Sequence, residues 1–406
     1  MAMDFARQIT AFFRSLTDLF SVHSASRELP VPPSSERAAP RASGSFSPSS
    51  PPSSPELDDE DFLAEHMGQI VPLSLEIARL NDPLTEARNA DGEELPRSPE
   101  KDEKFERSSG DDGVSEAERN DVSAGLADRD GDSSSPEALK DLRPFAQPRI
   151  VVSLLKGGVG KTTMVCFLAT AIEELWRRSG VQGRLLVVDT DPQGSATDFF
   201  LSGEAVSPQN SLRALFPPYE ASQAGGLFHG TRYPCIDVLP SHVDLADVFP
   251  DEAGSLECAL ARYLQDAAGD YGLILIDTPP SDTLALRCAL MAGSGILMPI
   301  DPSRQSLKTF SRFARTFVKY RRRNAELKIC GVVFSRYDRR LSLDNRIREA
   351  ITRQLNNSGI DLYEVPRRAA VAQIYNDYRG FEALDAVKDG EIVKVFADMA
   401  LKILSM

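Results

Sequence analysis

The chain has 406 residues, a formal net charge of −14 at pH 7, 42% hydrophobic residues and five cysteines. The cysteines (Cys166, Cys235, Cys258, Cys288 and Cys330) stand singly, with no C-x-x-C pair, which argues against a disulfide framework or a Cys/His metal site. No apolar run reaches the length of a membrane span and the start lacks a secretory h-region, so a soluble intracellular protein is expected.

Residues 1 to 148 are rich in Ser, Pro, Asp and Glu, with runs such as Ser47 to Pro55 and Ser133 to Pro136. Such a stretch buries too little apolar surface to offset its chain entropy, so a long, mostly disordered arm is expected, followed by one folded domain over 149 to 406. Charge divides at the same place: the arm carries 15 Lys or Arg against 30 Asp or Glu, a net −15, and the remainder of the chain is +1. The acidic balance therefore describes the arm and leaves a nucleic-acid role open for the domain. Two short stretches interrupt the arm. Phe5, Ile9, Phe12, Phe13, Leu16, Leu19 and Phe20 recur at helical spacing and predict an amphipathic helix over 4 to 20. Phe62 to Leu80 is less periodic and contains Pro72.

The folded part opens on Arg149 to Leu154, a β-branched apolar run that reads as a buried parallel strand. It leads into Lys156-Gly157-Gly158-Val159-Gly160-Lys161-Thr162-Thr163, and helical composition follows from Thr162 to Glu174. This is a phosphate loop between strand and helix, with glycines where a Cβ would collide with a ligand. The ordinary pattern needs a glycine at position 155, which is Leu155, and here a second lysine, Lys156, opens the loop instead. In such a loop Lys161 neutralises β and γ phosphates and the Thr162 hydroxyl binds Mg²⁺.

Further strand-like runs follow at Leu185 to Asp189, Cys235 to Pro240, Leu273 to Asp277, Gly295 to Ile300, Cys330 to Ser335 and Leu362 to Val365, separated by helix-sized segments. The alternation predicts an α/β fold, a mainly parallel sheet with helices on both faces, of the P-loop NTPase kind. Ligands of such sheets bind at the carboxyl ends of strands, where Asp189, Asp191 and Asp277 fall. Asp277 follows four apolar residues and is placed to hold a Mg²⁺ water opposite Thr162.

Between Arg304 and Arg353 there are fifteen Lys or Arg and four Asp or Glu, a net +11. If Gln305 to Arg323 is a helix, Lys308, Arg312, Arg315, Lys319 and Arg322 share one face, and Phe310, Phe313, Phe317 and Tyr320 the other. Arg339, Arg340, Arg346, Arg348, Arg367 and Arg368 are candidates to extend this cationic ridge toward DNA.

The phosphate loop, the Asp189-Thr190-Asp191-Pro192-Gln193-Gly194 run and the Asp277-Thr278-Pro279-Pro280 run, in this order, resemble the ParA branch of the ParA/MinD deviant-Walker ATPases, over roughly residues 149 to 385. The resemblance implies a slow, partner-stimulated, Mg²⁺-dependent ATPase that forms an ATP-bound homodimer, binds DNA non-specifically and meets a cargo-bound ParB-like protein. It implies that Lys156 reaches the partner subunit's ATP and that Lys161 and Thr162 act within their own subunit. By the same resemblance Asp191 orients the attacking water, Asp189 and Asp277 support Mg²⁺, and the base lies near Ser335, Arg336 and Pro366. Phe167 departs from relatives that often carry Asn on the helix after the loop. A cytoplasmic, nucleoid-associated location follows, without stable membrane association. Relatives borne on plasmids often place a helix-turn-helix domain before the ATPase, and here an acidic arm stands there instead, so operator binding is not expected.

Three other readings are open. A MinD-like membrane switch needs a basic amphipathic C-terminus, and residues 391 to 406 offer Lys394 and Lys402 against Glu391 and Asp398. An iron-protein reductase lacks the cysteine ligands it needs. In the third, the chain is a regulatory scaffold whose arm binds partners.

Overall fold

Unbroken runs of four or more buried residues, repeated along the chain, form the central strands of a single sheet. In the computed structural model, residues 146–219, 226–250, 254–355, 359–386 and 389–406 are described. The expected arm, its helix over 4 to 20 and the Phe62 to Leu80 stretch lie outside them.

The strands are β1 (Arg149–Val152), β2 (Leu185–Asp189), β3 (His229–Gly230), β4 (Ile236–Leu239), β5 (Leu273–Asp277), β6 (Gly295–Ile300), β7 (Lys328–Tyr337) and β8 (Asp361–Pro366). Their order in the sheet is β3-β4-β2-β5-β1-β6-β7-β8. All neighbouring pairs are parallel except β3 with β4. The sequence missed β3, whose two residues lack any apolar run.

Because successive side chains of a strand point to opposite faces, each strand feeds two cores. Val151, Val188, Ile276, Met298 and Phe334 face one of them. Ile150, Val152, Val187, Leu275 and Val333 face the other. Helices α3 (Ala259–Ala267), α4 (Leu284–Ala292), α5 (Arg304–Arg323) and α6 (Ser342–Leu355) cover the first face. The second is covered by α1 (Lys161–Ser179), α2 (Ser195–Leu201), α7 (Ala369–Asn376), α8 (Phe381–Ala386) and α9 (Gly390–Leu404). A parallel sheet buried on both faces explains why its strands read as unbroken apolar runs.

Phe167 accounts for one departure from the family pattern: it is fully buried and meets Phe396 of α9 edge to face, with ring centroids 5.7 Å apart. The same packing bears on the C-terminal helix. Ile392, Phe396, Met399 and Ile403 of α9 are buried in the core, so the apolar face that a membrane switch would need is spent inside the domain. Among the described residues no helix is long and apolar enough to cross a membrane.

Candidate nucleotide site and basic helix

The loop after β1 closes onto α1 through two left-handed glycines, Gly158 at φ 71° and Gly160 at φ 88°. Side chains rarely adopt that conformation, which explains glycine at both positions. Gly160 is the N-cap of α1 and its carbonyl accepts from the Met164 amide at 2.9 Å. The helix start therefore directs free amides and a positive dipole end into the loop. Lys161 is buried, and its Nζ donates to the Lys156 carbonyl at 2.9 Å. Burial lowers its pKa, opposed by Asp277 and Asp191.

Sheet register brings the carboxylates to this loop: Asp277 lies beside Val152 of β1 on one side and beside Asp189 of β2 on the other. Asp277 is fully buried, and neither of its oxygens completes a hydrogen bond in the structure. Burial, and then Asp189, push its pKa well up, while the nearby Thr162 hydroxyl and Lys161 pull it down. An orphaned buried carboxylate costs free energy unless something cationic or proton-donating meets it. The loop, Lys161, Thr162 and this carboxylate thus fit Mg²⁺ with a nucleotide triphosphate. Among the described residues no cluster of three or more His, Cys, Asp or Glu is placed to hold a metal alone. A magnesium ion here would take its remaining ligands from phosphate and water, as it commonly does.

Asp189 behaves differently from its neighbour. One of its oxygens accepts from the Thr197 amide and hydroxyl, both at 2.8 Å, and the other from the Asp191 amide at 3.1 Å. Burial raises its pKa to about 6 against those hydrogen bonds. Its oxygens are committed to shaping the turn that carries Asp191, which is a different task from the metal support that the family resemblance implies. Asp191 is part-exposed at the head of that turn, with one oxygen accepting from the Gln193 amide at 3.0 Å.

Lys156 does not point into solvent. Its Nζ sits 2.6 Å from Asp301, 2.8 Å from the Ser303 hydroxyl and 2.9 Å from the Ser306 hydroxyl. Ser306 also donates to Asp301. Burial raises the Asp301 pKa, but Lys156, Ser306 and Arg336 outweigh it and leave the carboxyl below its ordinary value. The sequence reading missed Asp301, Ser303 and Ser306. The signal was available, since Asp301 follows the apolar run of β6 as Asp277 follows that of β5.

On the far side of the loop, the Ser335 hydroxyl donates to the Val159 carbonyl at 2.8 Å. The next residue, Arg336, has φ 56° at a register shift of β7, and its guanidinium lies 3.8 Å from Asp301. A non-glycine residue held in the left-handed region signals a local constraint. Pro366 stands one strand further out, beside Tyr337.

The basic helix begins where Lys156 is held: Ser303 is the N-cap of α5 and accepts from the Ser306 amide. Lys308, Arg312, Arg315, Lys319 and Arg322 of α5 are exposed, and Phe310, Phe313, Phe317 and Tyr320 are buried. Arg312, Arg315 and Lys319 have no carboxylate partner among the described residues, and α5 contains no Asp or Glu. The later arginines are different. Arg339 pairs with Glu391, Arg340 with Asp338 at 2.7 Å, Arg348 with Glu364, and Arg368 with Asp389 at 3.1 Å and Glu391 at 2.9 Å. Arg346 and Arg367 are exposed. Most of the expected extension of the ridge is thus already matched by carboxylates, and the unmatched charge is concentrated on α5.

Residues 148–329 match the AAA domain family model. The chain is 30% identical over 226 residues to the chromosome-partitioning ATPase Soj of Thermus thermophilus, which covers 55% of this chain and 83% of that protein. It is 29% identical over 231 residues to the chromosome partitioning protein ParA of Myxococcus xanthus, over 55% of this chain and 77% of that one. Among solved structures, apo McdA of Cyanothece shares the fold with a TM-score of 0.53 and 19% identity, over 63% of this chain and 99% of that chain.

Proposed function

The chain belongs to the ParA family of partition ATPases, and from that premise we propose that it is an ATP-dependent dimerisation switch that binds DNA non-specifically while partitioning a replicon or positioning a cargo. One observation carries the reading: Lys156 of the phosphate loop is bonded to Ser303, the residue that caps the basic helix α5. A change at the nucleotide loop therefore has a direct route to the surface that meets nucleic acid.

When bound with Mg²⁺, ATP supplies a terminal phosphoryl group for transfer to water. Lys161 and the amides at the start of α1 neutralise phosphate charge in a buried setting, where each interaction is stronger than in water. Thr162 and Asp277 hold the metal side, and Asp191 orients the attacking water. Asp189 fixes the turn that carries Asp191 through the Asp191 amide and Thr197. Lys156 must leave Asp301, Ser303 and Ser306 to reach the phosphates of a second subunit, which ties full turnover to the dimer. A cargo-bound stimulating protein sets the rate, and the protein acts in the cytoplasm over the nucleoid.

DNA binding on this reading rests on phosphate contacts and counterion release, so it has little sequence preference and falls steeply with salt. The test is binding of the ATP-loaded full chain to random duplex across salt concentrations. Affinity that stays level from low to high salt removes α5 from the mechanism.

A further inference from the structure

Arg312, Arg315 and Lys319 of α5 have no carboxylate partner among the described residues, and the same chain carries a concentration of acidic residues elsewhere in its sequence. Residues 1 to 148 carry net −15, and residues 100 to 141 alone hold fourteen Asp or Glu against six Lys or Arg, a net −8. Within the domain, the carboxylates near other surface arginines are already in ion pairs. The arm holds the chain's remaining concentration of negative charge.

The structure fixes where that arm joins. Gln147 donates to the Ala268 carbonyl at 3.0 Å, and Arg149 donates to the Ala292 carbonyl at 2.6 Å. Arg149 also pairs with Glu326. Glu326 lies three residues beyond Arg323, the last residue of α5, in a turn held by Asn324, whose side chain donates to Leu290, Met291 and Gly293. The arm therefore enters the domain beside the foot of the basic helix, where Arg321, Arg322 and Arg323 follow in sequence. At 1.5 Å per residue α5 is about 30 Å long. The ~14 residues from Asp132 to the domain span up to about 50 Å when extended, enough to run the whole ridge.

We infer that the acidic segment at 100 to 141 docks on the exposed face of α5, at Arg312, Arg315 and Lys319, and competes there with nucleic acid. The inference rests on the reading of α5 as a polyanion-binding face. Tethering gives the segment an effective concentration on the order of millimolar, so even a weak contact occupies the ridge for a substantial fraction of the time. Being electrostatic and exposed, the contact is screened by salt. The arm then sets a threshold: isolated phosphates do not displace it, and a long duplex that contacts many cations at once does.

Two measurements on the full chain test this. Carbodiimide coupling at low salt joins carboxylates to lysines in contact. Mass spectrometry is expected to find peptides from 100 to 141 joined to Lys308 and Lys319 within one chain, and to lose these links when random duplex is added. In a full-length variant with the Asp and Glu of 100 to 141 changed to Asn and Gln, duplex affinity is expected to rise roughly three- to tenfold at low salt, with the gain fading at high salt. Absence of the Lys308 and Lys319 links overturns the inference, because the arm then acts at most by long-range repulsion. Equal affinity of the two proteins overturns it as well. If neither protein binds duplex, the DNA reading fails, and the crosslinks still decide where the arm sits.

Discussion

The nucleotide end and the α5 ridge are both cationic, and they are built in opposite ways. At the nucleotide end the lysines already have partners: Lys161 meets the Lys156 carbonyl, and Lys156 meets Asp301, Ser303 and Ser306. On α5 Lys308, Arg312, Arg315, Lys319 and Arg322 stand exposed, and Arg312, Arg315 and Lys319 have no carboxylate partner among the described residues. Charge in a buried, pre-engaged site acts through position, so one group carries a large share of the effect. Charge on an exposed helix acts through number, and each cation adds a small, salt-dependent increment.

The contrast is broken most directly at Lys161. Lys161→Ala is expected to lower ATP turnover by about two to three orders of magnitude, read as phosphate release by the full chain. A loss below tenfold would mean that the buried end is no more sensitive than a surface. On the ridge the expectation is graded. Changing Arg312, Arg315 and Lys319 together to Ala should flatten the slope of log affinity against log salt by about 2 to 3 and leave basal turnover intact. Arg339→Ala and Arg340→Ala serve as the internal contrast, since those cations are paired with Glu391 and Asp338. If they flatten the slope as much as the α5 set, pairing does not distinguish the two groups.

Acidity sharpens the comparison from the side of stability. Asp189 titrates in the folded protein at about 6, mainly because of burial, against an unfolded value of about 3.9. Between these values the native state holds more protons than the unfolded chain. The contribution of Asp189 is therefore fully present below about pH 4 and is lost as pH rises through 6. Asp277, pushed well up by burial, adds with the same sign, beginning at the same unfolded value of about 4 and continuing to higher pH. Asp301 lies below its ordinary value, so its contribution is lost only as pH falls below about 4, outside this window. The nucleotide-free protein should thus lose up to about 2 to 3 kcal/mol of stability from pH 4 to 6 through Asp189. Urea midpoints should fall less steeply across that range in Asp189→Asn, with Asp277 leaving a residual slope, and an unchanged profile would show that Thr197 and the Asp191 amide already offset the burial.

What the sequence made legible follows the same division. The fold was readable because a parallel sheet covered on both faces writes its strands as apolar runs, and β2, β5 and β6 have the bounds read from their residues. The loop was readable because few residue types fit around phosphate. The two faces of α5 were readable because helical period alone separates Arg312 and Arg315 from Phe313 and Phe317. Partners across the fold were not. Nothing local says that Arg339 and Arg368 share Glu391, 52 and 23 residues away. Nor does local pattern say that Asp189 is spent on Thr197, or that Lys156 rests 145 residues away on Asp301. Such contacts are set by turn geometry and by strand order, which periodicity does not encode.

The smallest expected effect lies at that last contact, where the two regions meet. The Lys156–Asp301 pair is mostly buried, with side chains 13% and 17% exposed, and it spans from the phosphate loop to the cap of α5. If Lys156 must leave this pair to engage a second subunit, the pair is part of what dimerisation has to overcome. Asp301→Asn keeps the shape but removes the charge, which should weaken the hold on Lys156 by about 1 kcal/mol after allowance for partial solvent screening. Because each dimer releases two such lysines, the gain is about 2 kcal/mol, and the ATP-dependent dimer should form at roughly thirtyfold lower protein concentration, measured by sedimentation with saturating Mg²⁺ and ATP. Adding Lys156→Ala should erase that gain, since no lysine remains to be released. A dimer that instead becomes harder to form in Asp301→Asn would place the carboxylate in the assembled interface, with Arg336 as the group it orients there.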